Sequence, residues 1–255
     1  MSQTEHTPLT EQEQERHLKN ILLSPVGVAG VEKLKASSVL IIGLGGLGSA
    51  VAFYLAAAGV GRLGLLDSDT VTLSNLQRQI LHTTSRLGME KTESARRQLA
   101  DLNPDIKIEL YCEYLTVTRG MELFPHFDVV VGCTDSFASY YLINEACMKS
   151  GKPYVFAACS QFEGQVSVFI PGKTPCYECI FPKPAEPKEM PEPTRGIFST
   201  VPGTIGTIQA NECLKLLLNI GEVLTSKLLV YDALSMNFEN ICIQRNAHCR
   251  VCAGL

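Results

Sequence analysis

Ser38-Val39-Leu40-Ile41-Ile42-Gly43-Leu44-Gly45-Gly46-Leu47-Gly48 reads as a buried strand that runs into a glycine turn and opens a helix. Five apolar or small residues without alternation suit a strand covered on both faces, as in a parallel sheet. Gly43, Gly45, Gly46 and Gly48 then sit where a phosphate-binding turn needs positive φ and close approach of a ligand to the backbone. The uncharged run from Val39 to Gly61 is long enough to span a bilayer. Its six glycines, four of them at 43 to 48, divide it into a β-like half and an Ala-rich helical half, which favours strand, turn and helix over a membrane span.

Downstream the pattern alternates. Helix is expected near 46 to 58, strand near 62 to 67, helix near 89 to 103, and strands near 107 to 112 and 128 to 131. A helix near 137 to 149 and a strand near 153 to 157 follow. This alternation predicts an α/β fold with a doubly wound, Rossmann-like, mainly parallel sheet. After Cys159 an alternating strand at 165 to 170, a helix near 204 to 219 and strands near 227 to 231 and 239 to 244 predict an antiparallel C-terminal extension. Between them residues 181 to 202 carry six prolines and read as an irregular loop. Upstream, Thr10 and Glu13 have capping-box spacing for a first helix at about 11 to 23, and Ser24-Pro25 reads as the cap of a second, short helix. One domain over 1–255 is expected, with helices in 1–36, a nucleotide-binding core in 37–160 and an extension of the same sheet in 161–255.

The chain of 255 residues is 45% hydrophobic and 19% charged, as ordinary globular proteins are, and its net charge of −4 argues against a polyanion partner. Nucleic acid and membrane are therefore not expected as partners. The polar N-terminus lacks a signal peptide's basic and apolar regions, so a reducing cytoplasm is the expected location.

Asp67 closes the second strand, where a carboxylate binds ribose hydroxyls. The glycine turn and Asp67 alone leave NAD, FAD, S-adenosylmethionine and ATP open. Arg78, Lys91 and Asp135 turn the reading to ATP, because two cations can neutralise a triphosphate and a carboxylate can hold Mg²⁺. Each also has a plainer explanation: Arg and Lys are ordinarily solvated, and Asp135 is placed to cap the helix near 137. Cys176 and Cys179, with Cys249 and Cys252, form two distant CxxC pairs suited to one structural, tetrahedral Zn²⁺; a redox dithiol is the competing reading. Cys112, Cys133, Cys147, Cys159, Cys213 and Cys242 fall in or beside apolar runs and read as buried small hydrophobes.

The glycine turn, Leu66-Asp67, Leu73-Ser74-Asn75-Leu76-Gln77-Arg78-Gln79, Lys91, Cys133-Thr134-Asp135 and the two CxxC pairs, in this order, resemble the MoeB/ThiF/HesA group, bacterial relatives of ubiquitin-activating enzymes. The resemblance runs from about Arg16 to Cys252. It implies an ATP-dependent adenylyltransferase that activates the C-terminal carboxylate of a ubiquitin-like sulfur carrier ending in Gly-Gly, with a sulfur donor acting afterwards. It further implies a homodimer, with residues 161–255 meeting the carrier. In family roles Asp67 holds the ribose, Asn75, Arg78 and Lys91 the phosphates, and Asp135 the Mg²⁺ and the reaction. Two departures stand out. Thr194 occupies the position where many relatives carry a loop cysteine, which puts a covalent sulfur relay in doubt. Where relatives commonly read Arg-Tyr-x-Arg-Gln-Ile, this chain reads Arg16-His17-Leu18-Lys19-Asn20-Ile21, so Lys19 stands for the second arginine, which in the family reaches into the partner subunit's triphosphate site; lysine keeps the charge but loses the bidentate fork. The alternatives are a non-catalytic ATP-binding regulator on the same scaffold and an NAD-dependent oxidoreductase.

Overall fold

The computed structural model describes residues 8–183 and 196–255. In chain order its elements are helices α1 (Glu11–Arg16), α2 (Leu18–Ile21) and α3 (Gly27–Ala36), strand β1 (Ser38–Ile42), α4 (Gly46–Ala57), β2 (Arg62–Leu66), α5 (Lys91–Leu102) and β3 (Lys107–Tyr111). Then come α6 (Val117–Leu123), β4 (Val129–Gly132), α7 (Phe137–Ser150), β5 (Tyr154–Ser160), β6 (Glu163–Phe169), α8 (Tyr177–Ile180), α9 (Thr200–Leu218), β7 (Lys227–Asp232) and β8 (Asn237–Cys242).

Eight strands form one sheet in the order β3-β2-β1-β4-β5-β6-β7-β8. From β3 to β5 all pairs are parallel, with Ile42 opposite Leu66 and Gly132, and from β5 to β8 they are antiparallel. The expected α/β fold, parallel core and antiparallel extension are therefore present. Every residue of β1 is buried. Val39 and Ile41 face one core with α4, α5 and α9, whereas Leu40 and Ile42 face a second core with α7 and the aromatic side chains of Phe124, Phe127, Tyr154 and Phe156. This two-sided burial is why the strand shows no polar alternation. The run from Val39 to Gly61 is strand, turn and helix, and among the described residues no helix is long and apolar enough to cross a membrane.

The N-terminal elements depart from expectation. The Thr10–Glu13 capping box forms, but the helix expected over 11 to 23 breaks at His17, whose ring is buried against Gly59. The next helix begins at Gly27 after Val26 with no side-chain cap, so Ser24 does not start it. Helix α9 starts at Thr200, ahead of the expected 204, and takes Pro202 into its first turn, where a missing N–H costs nothing. Helix α6 was not anticipated; its signal is Thr116, whose hydroxyl accepts from the Arg119 N–H. Cys133, Cys147 and Cys213 are buried as expected, but Cys112 and Cys242 are exposed, because each lies where a strand meets or forms the edge of the sheet.

Candidate functional site

The order of strands reverses between β1 and β4, so the loops leaving their C-terminal ends part and open a crevice, the usual ligand position in such sheets. A cleft of about 320 Å³ lies there. The glycine turn forms one wall, Asp67 to Asp69 a second, and Cys133-Thr134-Asp135 a third. Gly43 adopts φ +93°, and a Cβ on it would stand 2.7 Å from the Cys133 carbonyl oxygen. A Cβ on Gly48 would stand 2.0 Å from the Gly43 oxygen. Side chains at these two positions would push the turn open.

Asp67 is nearly buried and already partly engaged. Its Oδ2 accepts from the Leu44 N–H at 2.7 Å and its Oδ1 from the Asp69 N–H at 2.8 Å, so the carboxylate fixes the glycine turn while facing the cleft. Lys91, the first residue of α5, is only 5% exposed and pairs with Asp69 at 2.8 Å. Arg78 projects from the turn after a short 3-10 helix at Leu73–Asn75, with its Nη1 donating to the Ser74 carbonyl at 3.2 Å. The Asn75 carbonyl accepts from the N–H groups of Arg78 and Gln79 at 3.1 and 3.0 Å.

Asp135 does not cap α7. Ser136 does, accepting from the Ser139 N–H at 3.2 Å, which leaves Asp135 exposed at the cleft. The plainer explanation of Asp135 is thereby removed. Behind it, the buried Gln209 of α9 donates to the carbonyls of Gly132 and Val155 at 2.9 and 3.3 Å, tying off the ends of β4 and β5.

Gly43, Gly45, Gly46, Asp67, Arg78, Lys91 and Asp135 thus converge on one cleft. Gly48 and Asn75 do not line it: the first permits close packing of the turn, the second positions its neighbours through its backbone. Arg16 and Lys19 lie away from this chain's cleft; Arg16 donates to the Leu102 carbonyl at 3.0 Å and pairs with Asp105 at 3.6 Å, and Lys19 is exposed on α2. Thr194 lies outside the described residues. Sequence reasoning missed Asp69, Gln79 and Thr134. Gln79 is 5% exposed, and its Oε1, like the Thr134 Oγ1, is buried without a hydrogen-bond partner in the cleft wall. Unpaired buried polar atoms are costly, and a polar ligand would satisfy these two. Cys133 and Cys159 also line the cleft, but burial raises both thiols, Cys159 to about 12 and Cys133 well above its usual value, so neither is a thiolate at neutral pH.

In the core on the α7 side of the sheet, Cys176 and Cys179 at the start of α8 meet Cys249 and Cys252 from turns near the C-terminus. Their sulfurs all lie within 4.8 Å of one another, with separations of 3.9 Å for 176–179, 3.6 Å for 176–249 and 3.4 Å for 179–252. These exceed a disulfide bond of about 2.05 Å and match the edge of about 3.8 Å that a tetrahedron with Zn–S bonds of about 2.3 Å requires. The Glu178–Arg250 ion pair and the Tyr177 N–H bond to Asn144 Oδ1 at 2.9 Å hold the two turns together and to α7. All ten cysteines are free thiols, so no disulfide competes for these four.

A family model described as the ThiF family matches residues 17–251. The chain is 43% identical over 249 residues to the sulfur carrier protein adenylyltransferase of Thermus thermophilus, covering 95% of this chain and 92% of that one. It is 42% identical over 255 residues to the adenylyltransferase and sulfurtransferase MOCS3 of Drosophila grimshawi, covering 99% of this chain and 57% of the fly protein. The chain therefore spans a little over half the length of that relative. Among solved structures, E. coli MccB with AMPCPP and MccA superposes with a TM-score of 0.85 at 25% identity, over 96% of this chain and 75% of that one.

Proposed function

Because the chain belongs to the ThiF family, we propose that it is an ATP-dependent adenylyltransferase that activates the terminal carboxylate of a small, ubiquitin-like sulfur carrier ending in Gly-Gly. The observation that carries this reading is the convergence of the glycine turn, Asp67, Arg78, Lys91 and Asp135 on one cleft at the reversal of the sheet. Asp67 stands at the end of β2 to receive a ribose, and the turn's N–H groups at the start of α4 favour phosphate oxygens. Arg78 and Lys91 supply positive charge to the triphosphate. Asp135 offers a hard oxygen ligand, and the two orphaned atoms of Gln79 and Thr134 await polar partners. Mg²⁺ bound to Asp135 and the phosphates would neutralise charge on the pyrophosphate.

The carrier's carboxylate oxygen forms a bond to the α-phosphorus, the bond to the bridging oxygen breaks, and pyrophosphate departs with that electron pair. The attacking carboxylate is ionised at neutral pH, so no general base is needed, and the chain's contribution is positioning and charge stabilisation. Sulfur would reach the acyl-adenylate from a separate donor; the two cysteines in the cleft wall, Cys133 and Cys159, are thiols raised by burial and suited to packing.

Zn²⁺ in the four-cysteine cluster is part of the proposal. A closed shell of four sulfurs holds the metal as a staple between α8 and the C-terminal tail and gives it no place in the reaction. So are a single functional unit over 1–255, a homodimer in which Arg16 and Lys19 face a second subunit, and a cytoplasmic location. An oxidoreductase reading fails to use Arg78, Lys91 and Asp135 and is set aside. Transfer of label from the α-phosphate of ATP to a Gly-Gly-ending carrier tests the function. Labelled carrier acyl-adenylate is expected with the native protein and not with Asp135→Ala; tight binding of ATP with no label on any such carrier would instead favour a non-catalytic regulator.

A further inference from the structure

Gly43, Gly45 and Gly46 flank Leu44, whose side chain is buried in the core, so the glycine backbone around it is held chiefly through Leu44. Leu44 is held at both ends of its backbone. Its N–H donates to Asp67, and its carbonyl lies 2.9 Å from Nε2 of His82, a buried residue that follows the Arg78 segment. A carbonyl only accepts, so Nε2 carries the proton. Nδ1 then presents a lone pair, and the Ser94 hydroxyl donates to it at 2.9 Å. Ser94 is fully buried on α5, three residues beyond Lys91, on the same side of the helix. A continuous chain of bonds therefore joins the glycine turn to the helix whose first residue carries the triphosphate-facing ammonium.

We infer that His82 is a positioning residue of the nucleotide site: its neutral imidazole bridges the Leu44 carbonyl to Ser94 and thereby sets the spacing between the glycine turn and Lys91. The inference rests on the reading of the cleft as an ATP site. A second proton on Nδ1 would reverse the bond to the Ser94 hydroxyl, which can accept as well as donate, and would place a charge in a buried site. Burial opposes that proton most strongly, Lys91 on α5 and the Arg86 guanidinium add repulsion, and the Leu44 carbonyl and Asp67 at the end of β2 oppose them, so His82 titrates below the ordinary histidine range. The neutral Nε2–H form is therefore the one present at neutral pH.

Calorimetric titration with Mg·ATP, without carrier, tests this directly. His82→Leu should bind about tenfold more weakly, as loss of the two buried hydrogen bonds of the bridge predicts, with KM for ATP raised by a similar factor and kcat changed less than about threefold. His82→Gln, whose amide N–H can replace Nε2–H, should recover most of the affinity. Ser94→Ala, a smaller change that keeps the fold, should weaken binding about threefold. Nitrogen-detected NMR of the histidine ring should show the Nε2–H tautomer at neutral pH. Wild-type binding together with an unaffected affinity in His82→Leu and Ser94→Ala overturns the inference alone, as does a His82→Gln protein that binds no better than His82→Leu. A wild-type protein that binds no Mg·ATP overturns the inference and the ATP-site reading together.

Discussion

Replacing Lys91 by methionine separates what this residue does for the fold from what it does for the nucleotide. The Lys91 side chain is 6% exposed, and Asp69, its carboxylate partner among the described residues, is 60% exposed. Deleting the ammonium therefore leaves Asp69 able to turn to water, and methionine fills the channel of the lysine stem. The expected change in stability is about 0–1 kcal/mol, or less than about 4 °C in Tm for a chain of this size. The loss at the triphosphate is larger, because a positioned donor acting on developing charge in a partly enclosed site is worth about 100- to 1000-fold in rate. Steady-state pyrophosphate exchange and thermal melting, measured on the same preparation, give both numbers. The reverse deletion discriminates further. Asp69→Asn leaves a buried ammonium without its carboxylate, costing about 1–3 kcal/mol, less than a fully buried pair would. Mg·ATP should restore that protein more than it stabilises the native one, since the phosphates take over the lysine. Lys91→Met retaining exchange within about threefold would refute the assignment, because charge stabilisation of that kind cannot be so small.

Removing the metal should matter to folding and not to the chemistry. Plasma emission should find one zinc per chain, and its loss on chelation, or in Cys249→Ser, should lower Tm steeply while native, zinc-loaded protein is indifferent to added Zn²⁺. Gly206→Ala should destabilise the protein by about 1–3 kcal/mol or more in urea titrations, because a Cβ there would stand 2.4 Å from the Leu47 carbonyl and force α9 away from α4. His17 and His82 both titrate below the usual value of 6.5, chiefly through burial, with Arg16 also pressing on His17. A depressed folded pKa means the neutral form is favoured by folding, so stability is full above pH 6.5 and falls as pH drops toward the folded values. Glu93, held at about 2 by hydrogen bonds from Arg96 and Arg97, titrates well below this window. Melting curves between pH 8 and pH 5 should therefore lose their slope in a His17→Gln, His82→Gln double variant.

The parts of the site that follow chain direction were legible in sequence. A continuous apolar run, a glycine cluster and an acid at the next strand's end locate the turn, the cleft and Asp67, because a parallel sheet places every strand's C-terminal end on one side. What was not legible depends on contacts between distant residues. The Asp69 carboxylate meets Lys91, 22 residues away, and Gln209 meets the Gly132 and Val155 carbonyls, 77 and 54 residues away. Asp135 was ambiguous for a local reason: Asp and Ser both cap helices, and only the Ser136 hydrogen bond decides between them. The break at His17 likewise comes from a tertiary contact, the ring seated against Gly59, which overrides the helical pattern of residues 11 to 23. The meeting of the four cysteines was legible from spacing, since two distant CxxC pairs suit one shared cluster, and their sulfurs do lie within 4.8 Å of one another.

The central claim is tested most directly by exchange of labelled pyrophosphate into ATP, measured with a Gly-Gly-ending sulfur carrier and with the same carrier lacking its last glycine. The account predicts exchange that depends on the intact carrier, fails with the shortened one and disappears in Asp135→Ala. Exchange of equal rate with the shortened carrier, or with no carrier at all, would contradict it.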